Sequence, residues 1–383
     1  MTKNSIISPF IKKHGQVLIN KDDVKLSSTE AIKKIKKAIS NKQDYSNIDI
    51  GLLKIIKKNN IEETFSYATL FTISKIDNDE EIIKYLNFRY KFQMASERKL
   101  VPSIPPYILL EPASACNLKC PMCFQIDKTF TRKPYMGIMK WDLFKRLVDE
   151  ANDIGVGAIT LGSRGEPSMH PKYADMLKYI SQKKNIFEVK TNTNATYLNE
   201  KKIHSILESD ITTIVISADH YEKKAYEILR KGANFEKIIN NVKLLHSIRK
   251  KDYPNISTEI RVSGVDYYEN VDKKKFRDFW IKYSDNVTLT NPIERWDTYN
   301  NKPSTNENLS PCSYLWDRMY IWFDGICNPC DADYKSYLSY GNVNNSTIEK
   351  VWNSHELKEL RDVHLQGKRN SKNPCDRCGI EFN

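Results

Sequence analysis

Along the first hundred residues, apolar side chains recur at helical spacing. Ile32, Ile35 and Ile39 mark one helix face, behind a Ser27–Glu30 pair that fits a capping box. Two or three further amphipathic segments are predicted between residues 47 and 98, and residues 17–19 read as a short strand. The prolines within residues 101–106 break the pattern and mark a linker. From residue 107 the period changes. Short apolar runs at 107–111, 158–161, 187–191, 213–217, 257–262 and 287–289 predict strands. Between them, residues 141–153, 173–181, 200–207, 234–250 and 276–283 predict helices. About six β-α units in succession imply a parallel sheet with right-handed crossovers, enough to close only part of a barrel. Beyond Asn291 the alternation stops and Asn, Pro and Ser become common. The expected class is therefore α/β: a helical region at 1–100, a partial (β/α)6 barrel at 105–300, and a small cysteine-rich domain at 305–383. Thin apolar content there predicts a separate unit nucleated by metal.

Composition narrows the setting. Apolar residues make up 40% of the 383, ample for a core. No apolar run approaches the roughly 18 residues that span a bilayer, so no membrane partner is expected. Residues 1–20 lack the apolar block of a secretory signal, so the expected compartment is the cytoplasm. Eight cysteines in a large chain of that kind suggest metal rather than disulfides, the more so because they cluster. The net charge of +12 favours an anionic partner. Much of it is lysine scattered over amphipathic helices, so an anionic small molecule is expected rather than nucleic acid.

Cys116, Cys120 and Cys123 form C-x3-C-x2-C directly after the first strand of the α/β series, with Phe124 next. Three thiolates in one tight loop suit a cubane cluster with one open iron, whereas ferredoxin spacings give every iron a cysteine. A zinc site completed by a distant ligand is the alternative, although zinc pairs usually come as C-x2-C twice. The motif and its position resemble the radical S-adenosylmethionine (SAM) superfamily, and the resemblance runs from about residue 107 to the C-terminus. Gly162-Ser-Arg164-Gly165-Glu166-Pro167, after the second strand, resembles the family's Gly-Gly-Glu segment, with Arg164 where the first adjacent glycine usually stands. The resemblance assigns Gly165 and Glu166 to the methionyl ammonium of SAM. An ammonium needs acceptors, and glycine lets backbone approach closely. By the same resemblance, Ser217 and Asp219 lie where relatives contact the ribose or carboxylate, Arg230 where they bind the carboxylate, and Asn192 on the same rim. A helix cap, a turn or a surface charge is the alternative for each.

In the C-terminal stretch, alternating aromatics around Asp324-Gly325 predict a β-hairpin that delivers Cys330 beside Cys312. C-x12-G-x4-C followed by a distant C-x2-C resembles the auxiliary-cluster domains of the SPASM and twitch branches. That resemblance implies a single twitch-like cluster on Cys312, Cys330, Cys375 and Cys378. Cys327-x2-Cys330 with Cys375-x2-Cys378 is a competing four-cysteine zinc set, although 44 residues separate the two pairs. Otherwise Cys327 is a spare thiol, either donating hydrogen to a substrate radical as a catalytic residue or simply packed.

The resemblance thus implies two [4Fe-4S] clusters, SAM, and an electron donor such as flavodoxin or ferredoxin. The implied reaction is hydrogen abstraction from an unactivated carbon, oxidising or epimerising the substrate. Cys312-Ser-Tyr-Leu-Trp-Asp-Arg, Asn328-Pro-Cys-Asp-Ala-Asp-Tyr334 and the closing Pro374-Cys-Asp-Arg-Cys resemble a SPASM/twitch subgroup associated with surface-polysaccharide or other carbohydrate biosynthesis, which implies a carbohydrate or nucleotide-sugar substrate. A second reading is modification of a ribosomal peptide whose leader is grasped by residues 1–100, although a peptide appendage normally offers a strand edge. A third, a non-catalytic zinc-stabilised binding module, has the first cysteine trio and Gly165-Glu166 against it. The N-terminal helices themselves are expected to pack on the barrel or on a second subunit.

Overall fold

Ten short strands assemble into one sheet in the computed structural model, which describes residues 15–17, 21–42, 44–46, 48–268, 270–292, 296–300 and 310–378. They are β1 (Gly15–Val17), β2 (Tyr107–Leu110), β3 (Ala158–Leu161), β4 (Glu188–Thr193), β5 (Thr213–Ser217), β6 (Glu259–Val265), β7 (Asn286–Thr290), β8 (Met319–Ile321), β9 (Ile326–Asn328) and β10 (Gly341–Asn342). Their order is β1-β7-β6-β5-β4-β3-β2-β8-β9-β10. Strands β2 to β7 run parallel in sequence order, as the alternation predicts, and the barrel stays unclosed. Helices such as Trp141–Ile154, Tyr173–Ser181 and Phe235–Asp252 connect them.

The two faces of this sheet are buried differently. Ile108, Leu110, Ile159, Leu161, Ile214 and Ile260 point outward into one large core shared with the connecting helices. On the inner face, Tyr107, Leu109, Ala158, Tyr320 and Trp322 join a second core built by the N-terminal helices. The helices Lys21–Ser40, Ile50–Lys57, Ile61–Thr64, Tyr67–Lys75 and Asp79–Arg98 therefore close the barrel where its strands begin. Tyr85 donates to Glu188 Oε1 at 2.7 Å, and Arg89 pairs with the same carboxylate at 3.3 Å. Packing on the barrel, one of the two expected roles, is what these helices do.

One expectation needs correction. The helix Lys21–Ser40 runs through Ser27, so Ser27–Glu30 is no cap. A Ser-x-x-Glu pair inside a continuous helix looks locally like one at its start. Within residues 17–19, Val17 does end a strand, which pairs antiparallel with the β7 edge, while residues 18 and 19 lie outside the described residues. The C-terminal cysteine-rich segment docks on the barrel. Strand β8 pairs parallel with β2, carrying the β8–β9 hairpin onto the barrel sheet, and Trp316, Met319, Ile321 and Trp352 belong to the main core. A few large aromatics supply the burial that the apolar count underestimates.

Candidate functional site

The loop leaving β2 carries the first cysteines, and its shape follows from backbone hydrogen bonds. Ser114 N–H donates to Gly137 O at 3.1 Å, and Cys123 N–H donates to Cys120 O at 3.0 Å, folding the segment into a turn. Leu118 N–H points at Cys116 Sγ, 3.4 Å away. Burial pushes the Cys116 thiol up to about 11, and negative charge on Glu166 and Cys120 adds to the effect. Cys120 is also pushed up by burial, against the pull of the Arg230 guanidinium.

Arg230 arrives because Lys119 N–H bonds Lys231 O at 2.8 Å. Its guanidinium pairs with Asp219, which also accepts Val265 N–H at 2.9 Å. Two separately read candidates thus form one buried ion pair beside Cys120.

After β3, Gly165 lies so close to the cysteine loop that a Cβ would stand 2.3 Å from Ala113 O and 2.5 Å from Ala115 O. Both obstacles are backbone, so only glycine fits. Glu166 N–H donates to Ala115 O at 2.9 Å. The Glu166 carboxylate accepts from Ser168 Oγ, Thr193 Oγ1 (2.6 Å), Ser168 N (3.2 Å) and Asn194 N (2.8 Å). Burial still pushes its pKa up. We expect Gly165→Ala to lower SAM affinity at least tenfold in equilibrium dialysis while iron content is retained, because the clash displaces the Glu166 rim.

Arg164 does not loosen this segment. Its guanidinium bonds both Glu111 oxygens, at 2.7 and 2.6 Å, donates to Tyr334 O at 2.8 Å, and lies 4.0 Å from the Trp322 ring centre. Gln125 completes the junction, donating to Ser114 O and Arg164 O at 2.7 and 2.6 Å.

Asn192 sits on β4 and Ser217 ends β5, both half-buried at the inner face. The β4 residue that reaches the cysteine loop is Asn194, which donates to Asn117 Oδ1 at 2.9 Å and faces Cys116 Sγ at 3.8 Å. Asn194 lies two positions beyond Asn192, the residue assigned from the sequence. Asp127 was missed: Lys335 pairs with it at 2.8 Å and Tyr334 donates to it at 3.0 Å. Burial would raise the Asp127 carboxyl, but these bonds and those from Thr129 hold it at about 2. Phe124 stacks on Tyr334 at 4.9 Å, so the two cysteine regions share one joint.

In the C-terminal region, Cys312, Cys330 and Cys378 pack around Tyr314. Burial pushes Cys312 up to about 11 and raises Cys330 and Cys375 as well, with the charges of the set raising one another. Arg369 opposes this for Cys312 and Cys375. Cys327 lies elsewhere. It is fully buried in the barrel core with its thiol 3.6 Å from Gly325 O, and burial raises it too. That placement removes it from the zinc set and from the hydrogen-donor role, because a thiol sealed among core side chains faces neither the other cysteines nor a ligand.

Among the described residues, no group of three His, Cys, Asp or Glu side chains already stands at metal-ligand spacing. The fit to clusters is chemical. Buried thiols that raise one another's pKa are relieved when iron cations take them as thiolates.

Residues 110–264 match the family model of the radical SAM superfamily, and residues 312–379 match that of an iron-sulfur cluster-binding domain, SPASM. A tungsten-containing aldehyde ferredoxin oxidoreductase cofactor-modifying protein of Pyrococcus furiosus is 29% identical over 166 residues, 42% of this chain and 45% of its own. The chain spans about half the length of that relative and of a GTP 3′,8-cyclase of Limosilactobacillus fermentum, covering 57% of the latter. A cysteine-type anaerobic sulfatase-maturating enzyme of Clostridium novyi is 24% identical over 72% of this chain and 88% of its own. In fold, the chain resembles Streptococcus suis SuiB bound to its precursor peptide SuiA (TM-score 0.53, 17% identity, 86% and 82% covered). It also resembles BtrN in complex with AdoMet and 2-DOIA (TM-score 0.50, 16% identity, 73% and 95% covered).

Proposed function

Since this chain belongs to the radical SAM superfamily and carries a SPASM domain, we propose that it abstracts hydrogen from a hydroxylated, anionic small molecule, a carbohydrate or nucleotide sugar, and oxidises or epimerises it. The domain pair implies SAM and [4Fe-4S] clusters as cofactors. When bound, they supply a 5′-deoxyadenosyl radical. The protein's share of the work is holding and orienting.

On this reading Cys116, Cys120 and Cys123 hold the first cluster, and Cys312, Cys330, Cys375 and Cys378 hold the second. Glu166 receives the SAM ammonium. It is preorganised by Ser168, Thr193 and Asn194, so it need not move when a cation arrives. Asn192 and Ser217 offer polar contacts on the same rim. Arg230, already on Asp219, supplies positive charge beside Cys120.

The observation that carries the substrate class is the inner face of the barrel. Strand register aligns Leu109, Thr160, Lys190, Thr213 and Glu259 in one row, and Gly162, Asn192, Val215, Arg261 and Asn286 in the next. Ser217, Ser263 and Thr288 follow nearer the cysteine loop. Hydroxyls, an amide and charges at successive levels suit a polyhydroxylated ligand better than an apolar one.

A second reading, peptide modification, draws support from the likeness to the sulfatase-maturating enzyme over 88% of that protein's length. Substrate-dependent formation of 5′-deoxyadenosine by reconstituted enzyme separates the two. We expect nucleotide sugars or sugar acids to raise it at least tenfold over the substrate-free rate. Stimulation by cysteine- or serine-containing peptides alone would transfer the assignment to the second reading.

A further inference from the structure

Lys190 and Arg261, on the inner face of the barrel, form an anion-binding site, we propose, for a phosphate or carboxylate of the substrate. The inference rests on the reading of the barrel interior as the substrate chamber. Both side chains are half-buried, as expected for residues lining a chamber rather than a core. In β6 the exposure alternates without a break, with Glu259, Arg261, Ser263 and Val265 part-exposed and Ile260, Val262 and Gly264 covered.

Charge decides what such a chamber accepts. Three inner-face carboxylates are already paired, Glu111 with Arg164, Glu188 with Arg89 and Glu259 with Arg261, while Glu166 nearer the cysteine loop is held by neutral donors. Lys190 makes no ion pair among the described residues, and its ammonium stands 5.8 Å from the Tyr107 ring centre. Lys190 thus brings to a partly desolvated place a positive charge with no ion-pair partner among the described residues, and there an anion gains more than it would in bulk water.

Arg261 adds direction. One of its N–H groups bonds Glu259 Oε2 at 2.7 Å, while its buried Nε–H has no partner among the described residues. Asn286, at the paired register position on β7, gives its amide N–H to Glu259 Oε1 at 3.2 Å, and its buried Oδ1 has no donor among the described residues. Buried polar groups without partners are few in native proteins and call for an explanation. An anion beside Arg261 would satisfy the free N–H, and a neighbouring hydroxyl of the same ligand would satisfy Asn286 Oδ1. Guanidinium geometry suits phosphate or carboxylate equally, and the ammonium adds a point charge. Glu259 competes with the ligand for Arg261.

The test is anaerobic calorimetric titration of SAM-loaded holoenzyme with inorganic pyrophosphate and, separately, glucuronate. The protein is wild type, Lys190→Met, Arg261→Gln or Glu259→Gln. We expect at least one anion to bind the wild type, about tenfold more weakly to Lys190→Met and to Arg261→Gln. It should bind several-fold more tightly to Glu259→Gln, with SAM affinity and iron content unchanged in all three. Preference for pyrophosphate or for glucuronate tells a phosphate site from a carboxylate site. Equal affinity in all four proteins, no binding of either anion, or loss of SAM binding together with anion binding would overturn the site. Stimulation of SAM cleavage by peptides alone would remove the substrate class while leaving the titrations to judge the anion site independently.

Discussion

Replacing Cys116, Cys120 and Cys123 together by alanine is expected to abolish reductive cleavage of SAM, a loss of at least about a thousandfold. The loop that carries them is held by backbone bonds of Ser114 and Cys123, so it should keep its course without the thiols. Cys312, Cys330, Cys375 and Cys378 should still retain about four irons, because they form a set of their own. Iron and acid-labile sulfide, measured beside 5′-deoxyadenosine, separate loss of one cluster from global misfolding. Residual cleavage in the variant at more than a tenth of the wild-type rate would refute the assignment.

The second large effect concerns stability. Arg164→Ala leaves the Glu111 carboxylate buried without its cation, and the two side chains are 2% and 0% exposed. Breaking one partner of such a pair costs about 3–5 kcal/mol. Arg164 also holds Tyr334 O and covers Trp322, so the loss should loosen the joint between the two cysteine regions. Anaerobic chemical denaturation of the holoenzyme should show the full penalty in Arg164→Ala. The double variant Glu111→Leu/Arg164→Met should recover most of it, since apolar replacements of a buried pair are often neutral. Equal destabilisation in both proteins would place the effect in lost packing rather than in the stranded carboxylate.

Much of the fold was legible because its signals are local. The six parallel strands lie on apolar runs, and their crossovers lie on amphipathic segments. The β8–β9 hairpin was legible in the aromatics that alternate around Asp324-Gly325, whereas β10, with two residues, is too short to carry a period. That β8 would pair with β2 depends on contacts more than two hundred residues apart, of which Phe323 N–H bonding Glu111 Oε2 at 3.2 Å is one. The N-terminal helices announced an apolar face, but a face does not name what covers it.

The site divides in the same way. Three cysteines within eight residues act as a unit wherever the loop goes, so they could be read directly. Near the C-terminus, C-x2-C looks the same whether or not both thiols turn one way. Only strand placement shows that Cys327 faces the core. Arg164 looked like a departure from the family segment because its partner, Glu111, is distant in sequence. The two meet only once β2 and β3 are paired, Glu111 following Leu110 as Gly162 follows Leu161. Lys190 and Arg261 carry no motif at all. Strand register alone brings them to one chamber wall.

Metal content after anaerobic purification and cluster reconstitution tests the central claim most directly. The account predicts about eight irons and eight sulfides per chain, together with reductive conversion of SAM to 5′-deoxyadenosine by dithionite-reduced protein. Stoichiometric zinc without iron, or full iron loading with SAM left intact, would contradict it.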